Sequence, residues 1–287
     1  MNTNIDNFNS VRKPKIFNQS ASFVEGWYWV LPSQSLFVGE VKPVTILGRD
    51  LVVYRGQDRR AIILDAYCPH MGTSLAQGKI EGNELRCVLH QWKFDAEGIC
   101  VDVPDLDEPV AVKAKTWPVA EQYGIIWVWT GETPQQPLPF VLDWENQEFD
   151  FALGGEFSIN CHPNLLLLQG IDTQQINIVY KLPLKMVLEK QELNQNAIIF
   201  NTITNITSRS FWLKLYRRFF NSSLSYSICY WYGTTSIITF GNDLTHLHII
   251  FTTRILPEGK TQGQTLLMCK KRQGIFGKLI NKLMLWV

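Results

Sequence analysis

Four side chains in this sequence have the chemistry and spacing of metal ligands. They are Cys68 and His70 in Cys68-Pro69-His70 and, after a gap of sixteen residues, Cys87 and His90 in Cys87-Val88-Leu89-His90. Each segment supplies one thiolate and one imidazole, the first stiffened by Pro69 and released by Gly72. A structural zinc site can use two of each, but its usual spacing groups cysteine with cysteine and histidine with histidine. Alternating segments suit a two-iron cluster, in which both thiolates hold one iron and both imidazoles the other. Neutral imidazoles in place of anionic thiolates favour the reduced state, and such clusters work at roughly −150 to +300 mV. The chemistry implied is one-electron relay, with the histidine edge near the surface or the acceptor.

These segments must be positioned by elements that the rest of the chain supplies. With 287 residues there is room for two domains, and 46% hydrophobic against 18% charged residues is ordinary for a globular chain with a real core. Twenty-seven basic and 26 acidic residues give a net charge of +1, which points away from nucleic acid. The aromatic content favours β-rich packing. Residues 1–25 are Asn- and Ser-rich without an apolar core, so they read as a mobile leader rather than a signal peptide. No run approaches the ~20 apolar residues of a membrane span. Six cysteines without framework spacing indicate a reducing compartment, the cytoplasm, with membrane association open.

From Trp27 onward, short apolar or alternating runs are separated by turn signals: 51–55 and 61–66 around Gly-Gln-Asp-Arg, then 85–89, 99–101 and 125–129. This spacing predicts an antiparallel sandwich or barrel over 26–131. Three prolines within 131–139 mark a linker, placed at 132–146, before a second domain at 147–287. There the pattern predicts a strand near 147–161 and a buried helix from 165 to 179, with the leucines at 165–168 in the core. Strands follow over 197–206, 224–240 and 245–256, then a helix over the last fourteen residues. The fold class is α+β.

The two metal segments, the GWYWV start and the YGIIWVW closing strand together resemble a Rieske 2Fe–2S domain over about 27–130. The first segment lacks a second cysteine, which makes it similar to the oxygenase and ferredoxin types rather than the respiratory-complex type. Gln91 stands where the family usually has glycine. The resemblance implies Cys68, His70, Cys87 and His90 as cluster ligands, with Ser74 and backbone N–H groups as donors to sulfur.

Beyond the linker, GIDTQQINIVYK resembles the metal helix of Rieske non-heme iron oxygenase α-subunits, in which two histidines and a carboxylate form a facial triad. Asp172 aligns with the acid that bridges the two redox centres across subunits. Gln175 and Tyr180 stand at the two histidine positions, and neither reproduces an imidazole for ferrous iron. Glu189, Glu192, Asp243 and Glu258 lie in no recognisable ligand segment. The second domain is therefore expected to be an incomplete helix-grip-like sheet, its mononuclear iron expected for the family but lost, and its frame truncated at LMLWV. His246 and His248 share a strand face and read as partly exposed strand residues, and His162 as a turn neighbour of Pro163. Cys100, Cys161, Cys229 and Cys269 read as small buried hydrophobes.

Two functions follow from the resemblance. One is an oxygenase relative, trimeric, taking electrons from a reductase or ferredoxin and oxidising an apolar organic substrate with O2. The alternative is an electron carrier or catalytically silent ligand-binding subunit, which Gln175 and Tyr180 support. The basic, aromatic stretches 209–220 and 270–286 could meet an anionic membrane or an acidic donor, although such segments more often cover a core.

Overall fold

The computed structural model describes residues 25–141, 148–172, 174, 188–194, 197–205, 223–231, 235–242, 245–256 and 259–286. The first eleven strands are β1 (Trp27–Pro32), β2 (Val41–Ile46), β3 (Arg49–Arg55), β4 (Ala61–Asp65), β5 (Lys79–Glu81), β6 (Glu84–Arg86), β7 (Lys93–Phe94), β8 (Cys100–Asp102), β9 (Thr116–Trp117), β10 (Val119–Gln122) and β11 (Ile125–Trp129). They form three antiparallel sheets in the orders β1-β11-β10, β2-β3-β4-β9 and β5-β6-β7-β8. The remaining seven are β12 (Phe149–Ile159), β13 (Glu189–Asn194), β14 (Ala197–Asn205), β15 (Ser223–Trp231), β16 (Thr235–Asn242), β17 (Thr245–Ile255) and β18 (Thr261–Lys270). They make one antiparallel sheet ordered β12-β18-β17-β16-β15-β14-β13. Helices α1 (Pro163–Gln169) and α2 (Gly274–Met284) flank it.

Side chains that alternate along a strand tie these sheets into layers. On β1 and β11, Trp27, Trp29, Ile125, Trp127 and Trp129 pack with Cys229, Trp231, Ile237, Ile250 and Leu266 of the large sheet. Their neighbours Tyr28, Val30, Ile126 and Val128 point the other way, into a second core with Leu51, Val53 and Ile63. On β3 and β4 the complementary set, Val52, Tyr54, Ile62 and Leu64, packs into a third core with Leu85 and Phe94 of the β5-β6-β7-β8 sheet, whose strands are the shortest. The run IIWVW is apolar throughout because both of its faces are covered. Truncating any of these fully buried tryptophans would cost about 3–5 kcal/mol.

Arg254 on β17 locks two of the layers. Its guanidinium lies 4.2 Å from the Trp29 ring centroid and donates to the Val30 carbonyl at 2.8 Å and to Gln262 Oε1. Burial lowers its pKa to about 10, which still leaves it charged at neutral pH. The proline-rich stretch is irregular as expected, yet it is packed. Gln136 accepts a hydrogen bond from Trp27 Nε1, and Val141 joins the first core.

The structure corrects several expectations. Helix α1 ends at Gln169 instead of running to 179, and 173 and 175–187 lie outside the described residues, as do 1–24 and 209–220. It begins where His162 Nδ1 accepts from the Asn164 N–H and Pro163 fills the first turn. Leu165 and Leu168 are exposed rather than core, because α1 meets the sheet through its backbone. The hydroxyls of Tyr226 and Tyr230 on β15 donate to the Gly170 and Leu167 carbonyls. Strand 85–89 stops at Arg86, since Cys87 already opens a loop. Cys100, Cys229 and Cys269 are buried, whereas Cys161 is only half-buried at the end of β12.

His248 is fully buried, not partly exposed, with Nδ1 2.8 Å from Thr239 Oγ1. Burial, reinforced by His246, lowers its pKa to about 3, so it is held neutral. Among the described residues no helix is long and apolar enough to cross a membrane.

Candidate metal centre

The β5-β6-β7-β8 sheet and the end of β4 carry two six-residue loops with the same backbone plan. In the first, the Cys68 N–H donates to the Thr73 carbonyl at 2.8 Å; in the second, the Cys87 N–H donates to the Trp92 carbonyl at 2.8 Å. The fifth residue of each loop has a left-handed backbone: Gly72 at φ 72° and Gln91 at φ 59°. This is the conformation that favours glycine, so the departure at Gln91 is a strained position rather than a changed loop. Its side-chain amide donates to the Val88 carbonyl at 2.9 Å, and its own carbonyl accepts from Arg86 Nη1 at 2.7 Å. Arg86 also reaches Glu81 and Asp102, both at 2.9 Å, and so fixes the base of the second loop to β5 and β8.

Each loop turns its cysteine inward and its histidine outward. Cys68 and Cys87 belong to the third core, beside Leu75, Leu85 and Phe94. His70 and His90 are exposed, with ring centroids 4.7 Å apart at 60°. Trp92 of the second loop stacks on His70 of the first at 4.1 Å and 6°. Burial pushes the Cys68 thiol above its ordinary pKa, and the adjacent Cys87 raises it further. The backbone N–H groups of His70 and Met71 point at the Cys68 sulfur and work in the opposite direction, favouring thiolate. These are the sulfur donors seen; the Ser74 side chain is not among them.

The donor set fits a two-iron cluster. The four ligand candidates divide into a buried sulfur pair and an exposed nitrogen pair, the division a cluster needs and a four-coordinate zinc does not. Tyr67, Met71, Val88 and Leu89 are exposed beside the histidines and form an apolar collar. Sequence reasoning missed Arg86 and Trp92. Both are adjacent to the loop motif in sequence, but their roles depend on hairpin pairing that spacing alone does not state.

Asp172 stands apart from the loops, on the far side of the large sheet. It is exposed just past α1, and its carboxylate accepts from the Gln174 N–H at 3.1 Å. An open groove of about 670 Å³ runs beside it, lined by Ile159, Cys161, Leu165, Leu168 and Gln169. Gln175, Tyr180, Asp243 and Glu258 lie outside the described residues.

Comparison with known proteins agrees with this geometry. Residues 26–120 match the Rieske [2Fe-2S] domain. The chain is 37% identical over 161 residues to cholesterol 7-desaturase nvd of Bombyx mori, covering 55% of this chain and 36% of that protein. It is 34% identical over 135 residues to a probable 3-ketosteroid-9-alpha-monooxygenase oxygenase component of Rhodococcus rhodochrous, covering 47% and 33%. The chain thus spans about a third of the length of these relatives. In fold it is similar to dicamba monooxygenase bound to dicamba, with a TM-score of 0.67 and 18% identity over 85% of this chain and 77% of that one. Residues 26–120 are a Rieske domain, whose cofactor is a [2Fe-2S] cluster, and the chain is similar to Rieske oxygenases over that domain and in fold.

Proposed function

We propose that this chain is a Rieske oxidoreductase that passes single electrons toward the O2-dependent oxidation of an apolar, sterol-like substrate. One observation carries the reading: two loops of identical plan bury Cys68 and Cys87 and expose His70 and His90 within one contact. In this assignment the cysteines hold one iron and the histidines the other. When bound, the cluster supplies one-electron relay at a potential above that of all-cysteine ferredoxins. The chain's own residues tune and orient it. The His70 and Met71 N–H groups stabilise negative charge on sulfur, Trp92 fixes the His70 ring, and the apolar collar excludes water where a redox partner docks.

A reductase or ferredoxin is the electron donor in this reading, and a reducing cytoplasm suits six unpaired cysteines. The sterol-like substrate class is supported by the desaturase and ketosteroid monooxygenase names of the relatives. A homotrimer, with Asp172 bridging toward a neighbouring chain's cluster, is the assembly that the family resemblance implies. The positions aligned with the mononuclear iron triad carry Gln175 and Tyr180, a neutral amide and a phenol. That donor set does not fit ferrous iron. The carrier reading rests on the same two residues.

A single-turnover experiment separates the two. The purified chain is reduced anaerobically, its cluster is quantified by EPR, and O2 is added with cholesterol or a ketosteroid. Oxidised sterol in proportion to reduced cluster is expected. Cluster reoxidation with no product would transfer the assignment to an electron carrier. A chain purified with iron and sulfide that shows no Rieske EPR signal on reduction, or that keeps it in a Cys68→Ser/Cys87→Ser variant, would refute the ligand assignment.

A further inference from the structure

Helix α2 is oriented against the usual rule for amphipathic helices. Its inward face is polar and small: Asn281 is 2% exposed and donates to Asp150 Oδ2 at 2.8 Å and to the Lys270 carbonyl at 2.9 Å. Arg272 completes this anchor by donating to Asn281 Oδ1 at 2.7 Å. Gly277 lies against Arg272, where a Cβ would come within 2.7 Å of the arginine side chain. The helix is therefore held to β12 and β18 by hydrogen bonds rather than by apolar packing.

Its apolar stripe faces outward. Ile275 is 85% exposed, Phe276 84%, Leu283 62% and, just past the helix, Trp286 83%, with Leu279 and Ile280 between them. At 100° per residue these six span less than half of the helix circumference, so they form one continuous patch. Its surroundings are cationic. Lys270, Lys271 and Arg272 precede the helix, Lys278 and Lys282 lie along one edge of the stripe, and no acidic residue occurs from 270 to 287. Lys271 is matched by Glu148 at 3.1 Å, while Lys278 and Lys282 are exposed.

A large apolar stripe with lysines along one edge and an aromatic ring at one end matches the requirements of a bilayer surface. Acyl chains take up the stripe and anionic headgroups meet the lysines. A protein partner with a buried apolar groove would answer the stripe but would leave the cationic border to be matched separately. We infer that α2 docks this protein flat on an anionic phospholipid membrane, with Ile275, Phe276, Leu279, Leu283 and Trp286 at the headgroup boundary and Lys278 and Lys282 against lipid phosphate. The polar anchor at Asn281 holds the stripe outward before any membrane is met. This inference does not depend on the oxidative function.

The test uses the full chain with its cluster and two kinds of vesicle, pure phosphatidylcholine and phosphatidylcholine mixed with phosphatidylglycerol. Co-sedimentation with the mixed vesicles, weakened by salt and much poorer with the neutral ones, is the expected result. A Phe276→Glu/Leu283→Glu variant should lower the partition coefficient at least about tenfold. A Lys278→Glu/Lys282→Glu variant should remove the preference for the anionic vesicles. Both variants should retain the cluster's visible absorbance, because α2 does not touch the two loops. Absence of binding to mixed vesicles at low salt would overturn the inference, as would unchanged binding by the Phe276→Glu/Leu283→Glu variant. If light scattering shows a wild-type oligomer that this variant dissociates, with no vesicle binding by either, the stripe belongs to a second copy and the inference also fails.

Discussion

Gly170→Ala is a test of how α1 is seated. Gly170 caps the helix with ordinary right-handed dihedrals, φ −67° and ψ −22°, so no turn requires glycine there. Helix propensity alone would make alanine more stable by up to about 1 kcal/mol. Packing opposes this. An added Cβ would fall well inside van der Waals contact with Ile228 Cδ1 and 3.1 Å from the Tyr230 hydroxyl. Ile228 is itself buried, so relief requires it to leave its rotamer or α1 to lift from the two tyrosines that hold it. Overpacking of this kind costs about 1–3 kcal/mol, which leaves a net destabilisation of roughly 1–2 kcal/mol. Ile228→Val removes the obstructing methyl and should cost about 1 kcal/mol by itself. In that background Gly170→Ala should be neutral or stabilising, a coupling of roughly 1–2 kcal/mol between the sites. Urea denaturation of the four proteins, followed by circular dichroism, measures the cycle. If Gly170→Ala matches or exceeds wild type with Ile228 present, or if the two changes add to within about 0.5 kcal/mol, α1 does not pack closely on β15.

Two further outcomes follow from buried polar groups. Arg254→Met keeps apolar volume beside Trp29 but removes the donors to the Val30 and Trp29 carbonyls. It should destabilise by roughly 2–4 kcal/mol, read as a shift in the denaturation midpoint; a shift corresponding to less than about 1 kcal/mol would show that the guanidinium does not lock the layers. His248 has its pKa lowered from 6.5 to about 3, so between those values the unfolded chain binds the extra proton and stability falls as pH falls. His248→Gln should flatten the stability profile between pH 6.5 and 3, and an unchanged acid limb would place the loss elsewhere.

The sequence revealed its chemistry where the chemistry is local. Cys68, His70, Cys87 and His90 sit in loops of six residues, and spacing within a loop survives folding almost unaltered. Strands were legible for a similar reason: the alternation at 51–55 and 61–66 is β3 and β4 to within two residues. What spacing could not state is what each face meets. The run 125–129 read as a closing strand, but only the structure shows that one of its faces packs on the large sheet. The same gap explains the errors on helices. The apolar face of α2 was evident from its period, yet its outward direction is set by Asn281 and Asp150, which are 131 residues apart. Apolar content at Leu165 and Leu168 suggests burial, whereas α1 is held through backbone carbonyls and leaves both exposed.

The layering bears on how the cluster communicates. Its loops lie at one end of the stack, the first after β4 and the second between β6 and β7, and α1 with Asp172 lies on the opposite face of the large sheet. Three inter-sheet spacings separate the first layer from the last, on the order of 30 Å at about 10 Å each. The cores that fill this span are mostly tryptophan, valine, leucine and isoleucine. Within one chain, then, the two halves of the resemblance face away from each other. The exposed histidines point outward through an apolar collar, and Asp172 points outward beside an open groove. Among the described residues, Asp172 offers the histidine edge no short path within the chain. In the proposed trimer, a neighbouring chain would have to bring its Asp172 to the first chain's histidines.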